Sequence, residues 1–304
     1  MDDINYVDRQ SGESCVEKVY GRWALSLLYG SSLPARIFAA LFLPLLARVP
    51  FISRFYGLMQ RRPSSKKKVS SFIKAFGVDV SEFADPVSSY QSFNDFFIRK
   101  LKPECRPIDQ RSDHLAMPAD GRYLVFPNLH QTQGFYVKGQ KFNLEAFLQD
   151  SALARRFTNG SMMIVRLCPT DYHRFHFPCA GEPSEALPIK GPLYSVNPVA
   201  LSKRLHILWE NKRAITKFAT ESAGLVLMVE VGATCVGTIH QTYVPDHFVE
   251  KGDEKGFFSF GGSCLVLLFE KGRIVFDRDL VENSARHIET KGLFGSSFAT
   301  IQNK

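Results

Sequence analysis

Several features that mark particular protein classes are scarce or missing in this chain of 304 residues. Its six cysteines are scattered, with no CxxC pair and no closely spaced framework, which excludes a small disulfide-stapled scaffold. We therefore expect reduced thiols in a cytosolic compartment. The first ten residues, MDDINYVDRQ, are polar and acidic, so no secretory signal is expected. The cysteines are Cys15, Cys105, Cys168, Cys179, Cys235 and Cys264.

Acidic residues are missing from one long stretch of the chain. From Lys18 to Lys74 there are eleven Lys or Arg residues and no Asp or Glu, while the rest of the sequence is close to balanced. The formal net charge of +8 is thus concentrated near the amino terminus. Such a cluster is typical of binding to nucleic acid or to an anionic membrane. The folded body lacks the aromatic-interleaved basic stretches of a nucleic-acid interface, so no nucleic-acid partner is expected.

Long hydrophobic runs are also missing. Residues 18–60 contain the apolar clusters WALSLLYG, IFAALFLPLLA and VPFISRFYG, and we expect prolines at positions 34, 44 and 50 to break them up. The longest uncharged stretch within these clusters, residues 37–47, has 11 residues, whereas a membrane-spanning helix needs roughly 20. Short apolar helices flanked by arginine and aromatic residues favour an interfacial segment in the headgroup region. An ordinary helical hairpin packed on the rest of the protein is the alternative.

A basic run, RRPSSKKK at residues 61–68, follows these clusters and is typical of an exposed linker. Beside an interfacial segment, each Lys or Arg near an anionic leaflet adds about 1 kcal/mol of attraction. We therefore predict that residues 1–68 form an apolar and basic helical membrane-associating segment with its linker. Residues 69–304 are predicted to form the main domain. The expected location is the cell membrane, with peripheral attachment at the cytoplasmic face.

The second part of the chain changes from helical to β-rich patterns. Between residue 69 and about residue 101, SFIKAF and SFNDFFIRKL each open at a serine, Ser71 and Ser92, that could cap a helix. Beyond residue 116 short β-type segments dominate, interrupted by one predicted helix, NLEAFLQDSALARRF. Their length and spacing predict an α+β fold with an antiparallel β-rich core and peripheral helices. The predicted strands are RYLVF, GFYVK, SMMIVRLC, HRFHF, LVLMVEVG, VGTIHQTYV, FFSF, CLVLLF and RIVF.

Two polar stretches carry candidate chemical groups. In PADGRY, residues 118–123, Asp120 precedes a glycine and alone is an ordinary turn signal. In CPTDYHRFHFPCAG, an extended HRFHF would place His173 and His176 on opposite faces, so the two would not form a chelating pair. Further metal ligands at a familiar spacing are missing, although His240 could in principle join them. No metal site is predicted.

A third stretch, KGFFSFGGSCLVLLFEKG at residues 255–272, places two glycines and a serine inside a hydrophobic run. Glycine weakens a strand interior unless the backbone is needed there. Gly262 can adopt backbone angles closed to other residues, and a strained peptide before Ser263 would expose the Gly262 carbonyl to the serine hydroxyl. A serine hydroxyl needs a base, which a histidine oriented by an aspartate supplies. Asp120 and a histidine of DYHRFH are the available partners.

Together, these motifs resemble the bacterial phosphatidylserine decarboxylases, a family of pyruvoyl-dependent proenzymes. The resemblance runs in order from about residue 90 to residue 272, while residues 1–60 match only in apolar and basic character. One departure is Cys264, where the family usually has threonine, and it places a second nucleophile beside the cleavage point. The matching segments are FNDFFIRKLKPECRPID, PADG, DYHRFHFPCAG, LYSVNP, VGATCVGTIHQT and KGFFSFGGS.

The resemblance implies a self-cleavage followed by a decarboxylation. In the first stage Ser263 attacks the Gly262 carbonyl, with His176 as its base. Asp120 orients that histidine, and elimination then splits the chain between residues 262 and 263. Ser263 becomes a covalent pyruvoyl group, which is the implied cofactor. In the second stage this group forms a Schiff base with the substrate amine, and His173 donates a proton to the former α-carbon after carbon dioxide leaves.

The same resemblance implies partners. Cleavage would leave a β chain of residues 1–262 and an α chain of residues 263–304 as a heterodimer, with further dimerisation left open. The substrate would be phosphatidylserine in an anionic membrane, and the product phosphatidylethanolamine. Two alternatives stay open: a membrane-associated serine hydrolase that uses Ser263, and a non-catalytic membrane-binding protein whose GGS is a bulge in a strand. A denaturing gel separates them, because only the decarboxylase gives two chains.

Overall fold

The computed structural model describes residues 4–19, 22–30, 32–48, 50–129, 142–201, 204–233, 238–260 and 263–302. The strands in these ranges are β1 (Asn5–Asp8), β2 (Ser14–Val16), β3 (His114–Ala116), β4 (Gly121–Phe126), β5 (Ser161–Leu167), β6 (Arg174–His176), β7 (Gly181–Pro183), β8 (Leu187–Ile189), β9 (Arg213–Thr220), β10 (Leu225–Gly232), β11 (Ile239–Gln241), β12 (Glu254–Phe258), β13 (Ser263–Phe269), β14 (Ile274–Phe276), β15 (Glu289–Gly292) and β16 (Ser297–Ile301). The α-helices are α1 (Arg22–Tyr29), α2 (Leu33–Arg48), α3 (Pro50–Arg61), α4 (Lys67–Phe76), α5 (Phe93–Phe97), α6 (Leu144–Leu148), α7 (Ser151–Phe157), α8 (Pro198–Leu201), α9 (Ile207–Glu210) and α10 (Arg278–Ala285).

A ten-stranded sheet forms the centre of the molecule. Its strand order is β2-β1-β15-β4-β5-β13-β10-β9-β7, with β8 also paired to β9. Neighbouring strands run antiparallel except for β1 and β15, which are parallel. Two smaller antiparallel sheets have the orders β11-β12-β6 and β14-β16-β3. The predicted α+β architecture with antiparallel sheets is therefore confirmed.

The central sheet is buried on both faces, as strand β13 shows. All seven of its residues are buried. Cys264 and every second residue after it pack into a hydrophobic cluster with residues of helices α1, α2, α6, α8 and α9. Leu265 and every second residue after it pack into another cluster, with residues of the two smaller sheets. Because successive side chains of a strand alternate between faces, Ser263 lies on the face of this second cluster.

Most predicted strands are present, but one predicted helix is two, and eight strands in the described ranges were not predicted: β1, β2, β3, β7, β8, β9, β15 and β16. GFYVK, residues 134–138, lies outside the described residues. The helix predicted over NLEAFLQDSALARRF is instead two helices, because Gln149 adopts a left-handed φ of 51° and Asp150 caps α7 by accepting two backbone N–H groups. Strand β9, RAITKFAT, was not predicted; it is held by pairing with β10 over seven residue pairs. Its mixture of small and charged residues gives no hydrophobic run to mark it.

The amino-terminal 68 residues were predicted to be helical. The structure corrects this, because β1 and β2 extend the main sheet. Glu17, just after β2, has a side chain only 7% exposed and lies 2.6 Å from the guanidinium of Arg166 on β5. Arg9, just after β1, bonds Asp277 and Asp279 near α10. Backbone pairing and ion pairs stabilise these short polar strands. They therefore do not need alternating hydrophobic residues, which are the pattern by which a strand is recognised in a sequence. The domain boundary at residue 68 stays a prediction.

The prolines of residues 22–61 do not interrupt the helices in the way that the sequence predicts. Pro34 and Pro50 lie in the first turns of α2 and α3, where the missing N–H costs nothing. Pro44, however, lies inside α2, which continues to Arg48. Among the described residues, no helix is both long and apolar enough to cross a bilayer.

The basic run at residues 61–68 is folded rather than a free linker. Its centre forms the 3-10 helix Pro63–Lys66, and α4 begins at Lys67. Ser65 is buried, and its Oγ accepts the backbone N–H of Phe93 at 2.9 Å, which docks the run onto α5. Hydrogen bonds of this kind leave no sequence signature.

The two predicted serine caps have opposite outcomes. Ser92 caps α5, because its side chain accepts the backbone N–H of Asp95. Ser71 does not cap a helix: it lies inside α4, and its Oγ donates to the Lys68 carbonyl.

Candidate active site

The candidate residues collect at one edge of the central sheet. Ser263 begins β13 and pairs with Leu167 at the end of β5 and with Gly232 at the end of β10. Asp120 directly precedes β4, whose second residue pairs with Arg166 on β5, so Asp120 lies at the same edge. His176 is tied to this edge through its backbone N–H, which donates to the Pro118 carbonyl at 2.8 Å. The fold thus gathers groups from widely separated sequence positions.

Ser263 is fully buried, and its Oγ has no hydrogen-bond partner among the described residues. Buried hydroxyls are normally paired, so an orphaned one calls for an explanation. Gly262, the other residue of the predicted cleavage site, lies outside the described residues, as does Gly261.

Cys264 cannot substitute for the neighbouring serine in this arrangement. Its side chain lies on the opposite face of the sheet, in the cluster covered by the helices. Burial raises the pKa of the Cys264 thiol to about 12, so the thiol stays protonated and unreactive. The departure from the family pattern therefore does not place a second nucleophile in the site.

His176 is buried with one free ring nitrogen. Its Nδ1 lies 3.0 Å from the Gly252 carbonyl, while Nε2 has no partner among the described residues. A carbonyl only accepts hydrogen bonds, so Nδ1 carries the proton of the neutral ring and Nε2 presents a basic lone pair. Burial lowers the pKa of His176 from 6.5 to about 4, which keeps the ring neutral near pH 7. His176 is thus prepared to accept a proton.

Asp120 does not bond His176. Its carboxylate accepts two hydrogen bonds from Arg106, the shorter at 2.7 Å, and one from the backbone N–H of Phe294 at 2.8 Å. The Phe294 ring stacks on His176 with 3.7 Å between centroids, so Phe294 connects the two residues. Burial raises the pKa of Asp120, and the bonds from Arg106 and Phe294 oppose that shift. In this structure the Gly252 carbonyl, and not Asp120, contacts the His176 Nδ1. The orienting role that the family resemblance implies for Asp120 stays a prediction.

His173 lies in a different setting, against helix α5. Its ring stacks on Phe97 with 3.8 Å between centroids, and neither ring nitrogen has a partner among the described residues. Burial, and then the charge of nearby Arg99, lower the pKa of His173 well below its ordinary value. Phe97 in turn packs on Phe260, whose ring centroid is 5.0 Å away. His173 therefore approaches the candidate cleavage site through an aromatic stack.

Asn94, His240 and Arg61 contact the chain just before the glycines, and sequence reasoning gave none of them this role. The Oδ1 of Asn94 accepts the backbone N–H of Phe260 at 3.0 Å. The Nε2 of His240 lies 2.9 Å from the Ser259 Oγ, which also receives a 3.4 Å contact from Arg61. Asn94 and His240 belong to segments of the family resemblance, but only the fold shows what they touch.

Unpaired buried polar atoms mark the site as a whole. Ten side-chain atoms in the described part of the chain are buried without a hydrogen-bond partner of normal geometry, and four of them belong to His173, His176 and Ser263. Such atoms are rare in folded proteins and point to chemistry or strain. The described residues contain no group of three or more His, Cys, Asp or Glu side chains placed to hold a metal ion.

Comparison with known proteins identifies the family of this chain. The sequence profile of the family described as phosphatidylserine decarboxylase matches residues 93–296. A phosphatidylserine decarboxylase proenzyme of Fusobacterium nucleatum subsp. nucleatum is 43% identical over 303 residues, covering 100% of this chain and 99% of that protein. Two others, of Chlamydia felis and Chlamydia trachomatis serovar D, are 42% and 44% identical and cover 98% and 97% of this chain and 98% and 96% of their own lengths. These relatives form a class of decarboxylases named as proenzymes. The chain belongs to the phosphatidylserine decarboxylase family.

Proposed function

We propose that this chain cleaves itself between Gly262 and Ser263 and then decarboxylates phosphatidylserine to phosphatidylethanolamine and carbon dioxide. The observation that carries the proposal is the buried, unpartnered Oγ of Ser263 at the sheet edge where His176 keeps a free Nε2. A hydroxyl nucleophile and a neutral base are the two groups that the cleavage requires. Phospholipid biosynthesis is the process this activity serves.

The cleavage step begins with these two groups. Nε2 of His176 accepts the hydroxyl proton, Oγ of Ser263 attacks the Gly262 carbonyl, and the peptide C–N bond breaks as an ester forms. The Ser263 nitrogen takes up a proton and becomes a free amine. No hydrogen bond joins Ser263 and His176 in the structure, so a side-chain shift precedes the proton transfer.

Elimination then divides the chain. Loss of the Ser263 α-proton breaks the Cβ–O bond, and Gly262 leaves as a carboxylate. The dehydroalanine that remains at position 263 takes up one water and releases ammonia, which gives a pyruvoyl ketone. Residues 1–262 and 263–304 become two chains that stay paired through the central sheet, because β13 lies between β5 and β10.

The site's own residues fit a pyruvoyl group at position 263. Ser263 lies fully buried at the start of β13. The methyl of a pyruvoyl group would lie where the Ser263 Cβ is, and its ketone oxygen would take the place of the backbone nitrogen that leaves as ammonia. The group would act as an electron sink when carbon dioxide leaves the substrate. His173 has two unpaired ring nitrogens, and we assign it the proton delivered to the substrate carbon.

Substitution of Ser263 tests this proposal. Ser263→Ala should leave one chain of 34.3 kDa on a denaturing gel, with no carbon dioxide released from phosphatidylserine. The wild-type protein should show two chains, and the mass of the shorter chain should fit a pyruvoyl amino terminus. A wild-type protein that stays intact, yet loses an esterase activity on Ser263→Ala, would favour the serine hydrolase instead.

Peripheral attachment to an anionic membrane is the second part of the proposal. Leu33, Ile37 and Leu41 recur every four residues on α2 and are 69%, 55% and 68% exposed. Phe55 and Leu58 on α3 are 49% and 58% exposed. Exposed apolar stripes are typical of interfacial helices. The exposed basic residues nearby would attract anionic lipid; they are Arg36, Arg61, Arg62, Lys66, Lys67 and Lys68.

Point substitutions test the membrane contact better than truncation. Deleting residues 1–68 would also remove β1 from the sheet and the Glu17 partner of buried Arg166. The double variant Ile37→Glu/Leu41→Glu should lose most binding to phosphatidylserine vesicles in sedimentation. Leu187→Glu, which changes a residue 62% exposed on β8, is the matched control and should bind normally. Equal binding by all three proteins would place membrane contact elsewhere.

A further inference from the structure

We propose that Asn94 and His240 are positioning residues for self-cleavage, because they hold the chain from two sides just before the scissile bond. The held segment is Ser259 and Phe260, and we call it the junction segment. This inference rests on the proposed cleavage between residues 262 and 263. If it is right, cleavage of the precursor requires a correctly held junction segment in addition to the nucleophile and its base.

Asn94 holds the junction segment through its backbone. Its side chain accepts the Phe260 N–H at 3.0 Å, and the residue is only 9% exposed. Helix α5, which carries Asn94, is fixed at its start by the Ser92 cap. On both sides of Asn94 in this helix, Phe93 and Phe97 pack on the Phe260 ring, with centroids 5.2 and 5.0 Å away. Phe260 is therefore held by a hydrogen bond and by aromatic packing from the same helix.

His240 holds the other residue of the segment. Its Nε2 lies 2.9 Å from the Ser259 Oγ, and its ring stacks on Phe257 with 4.6 Å between centroids. Burial, and then the charge of Arg61, lower the pKa of His240, which favours the neutral ring near pH 7. Arg61 adds a weaker contact to the same oxygen at 3.4 Å.

A buried ion pair fixes the strand that carries His240. Gln241, the next residue of β11, donates to Glu230 at 2.8 Å and accepts from Lys255 at 2.9 Å. Glu230 and Lys255 are both fully buried and lie 2.9 Å apart. Gly256 on β12 allows this close approach, since a Cβ there would lie 2.0 Å from the His240 carbonyl oxygen. His240 is thus presented from a rigid strand pair.

Holding the junction segment matters because a flexible stretch of chain separates it from Ser263. Only Gly261 and Gly262 separate Phe260 from Ser263, and Ser263 is itself paired in the sheet. Glycine samples more backbone conformations than any other residue, so two in a row would rarely present the carbonyl to the serine hydroxyl. Fixing both ends of this stretch restricts those conformations, and intramolecular reactions are highly sensitive to such alignment.

The experiment follows the cleavage of newly made protein. Each variant of the full chain is synthesised in a cell-free system with a pulse of labelled leucine, and the conversion of one chain to two is timed on denaturing gels. Asn94→Leu removes the acceptor at similar volume and should slow conversion at least about tenfold. Asn94→Asp keeps an oxygen in the same place and should convert within about threefold of wild type. His240→Phe should slow conversion, and His240→Gln should restore part of the rate.

Ser284→Ala is the matched control. Ser284 is also buried, and its Oγ accepts the backbone N–H of Val125 at 2.9 Å, far along the sheet from the junction. Its loss should lower the melting temperature as much as Asn94→Leu does, while conversion stays at the wild-type rate.

The outcomes separate this inference from the proposed function. If Asn94→Leu and His240→Phe convert at the wild-type rate, the positioning role is wrong, although cleavage itself stands. The same conclusion follows if Ser284→Ala slows conversion as much as Asn94→Leu, because the effect would then be one of stability. If the wild-type protein never forms two chains, the proposed cleavage fails and the positioning role with it.

Discussion

His173 and His176 lie three residues apart in one motif, yet they belong to two different regions of the site. His176 is anchored: its Nδ1 is bonded to Gly252, its ring is stacked on Phe294, and its Nε2 alone is free. The His173 ring stacks on Phe97, its backbone carbonyl accepts the Phe258 N–H at 3.0 Å, and neither ring nitrogen makes a hydrogen bond of normal geometry among the described residues. A ring whose tautomer is fixed and whose other nitrogen has no partner, as in His176, is suited to act as a base.

These different surroundings would let one short motif take part in two reactions at different times. His173 precedes β6 and His176 ends it, and the two rings meet different neighbours. The His176 ring stacks on Phe294, whose N–H bonds Asp120, whereas the His173 ring stacks on Phe97 of α5. We therefore assign processing to the His176 side and turnover to the His173 side. The experiments below test this division.

The largest expected effect is the loss of processing on the His176 side. His176→Ala removes the base, so a denaturing gel of the purified protein should show one intact chain and no decarboxylation. His247→Ala, which removes an exposed histidine, is the control and should give two chains. If His176→Ala cleaves normally while His173→Ala does not, the two roles are the reverse of those assigned here.

A large but later effect is expected on the His173 side. His173→Ala should process to two chains, because the serine's base is untouched. Its decarboxylation rate per pyruvoyl group should fall about 100- to 10,000-fold, the usual worth of a positioned proton donor. Carbon dioxide release and the yield of the shorter chain are measured on the same sample. Normal turnover would remove His173 from the mechanism.

A smaller effect concerns pH. Folding lowers the pKa of His176 from 6.5 to about 4, so the neutral ring is favoured in the folded state. The contribution of this shift to the free energy of unfolding is fully present above pH 6.5. It is lost as the pH falls towards 4, because in this range the unfolded chain binds the proton and the folded chain does not. In uncleavable Ser263→Ala, the His176 proton resonance should keep its neutral position down to about pH 5. Titration near pH 6.5 would contradict the buried, anchored setting; His176→Gln assigns the signal.

The smallest effect is expected at Cys264, which borders Ser263 but points to the opposite face. Cys264→Ser should leave both the conversion to two chains and the turnover close to wild type. The same gel and carbon dioxide assays apply, with Cys179→Ser as a second buried thiol for comparison. Loss of cleavage in Cys264→Ser alone would implicate the thiol after all.

The parts of the fold that sequence predicts well are those where one strand carries its own signal. β5, β10 and β13 are continuous hydrophobic runs, because both faces of the central sheet are buried. β1 and β2 carry no such signal, since pairing with β15 and the Glu17–Arg166 contact hold them. Their stabilising partners lie at distant positions in the chain.

The site shows the same limit. Asp120, His176 and Ser263 are recognisable because their motifs are distinctive in residue type and order. The Gly252 carbonyl that orients His176 is a backbone atom 76 residues away, and any residue could supply it. Phe294 and Asn94 are likewise ordinary residues until the fold places them. Sequence thus predicts candidate reactive residues, whose roles stay predictions, but it does not predict which groups orient them.

The interleaving of strands has a consequence for the lifetime of the mature protein. On the proposed cleavage, residues 263–304 would contribute β13 and β15, each of which lies between two strands of the longer chain. The shorter chain could then leave only if the central sheet opened. Before cleavage, refolding is a first-order event within one molecule; afterwards it would need two separate chains to find each other, so it would depend on concentration. A matured molecule that unfolds would be lost rather than repaired, and its working life would be set by the rate of unfolding.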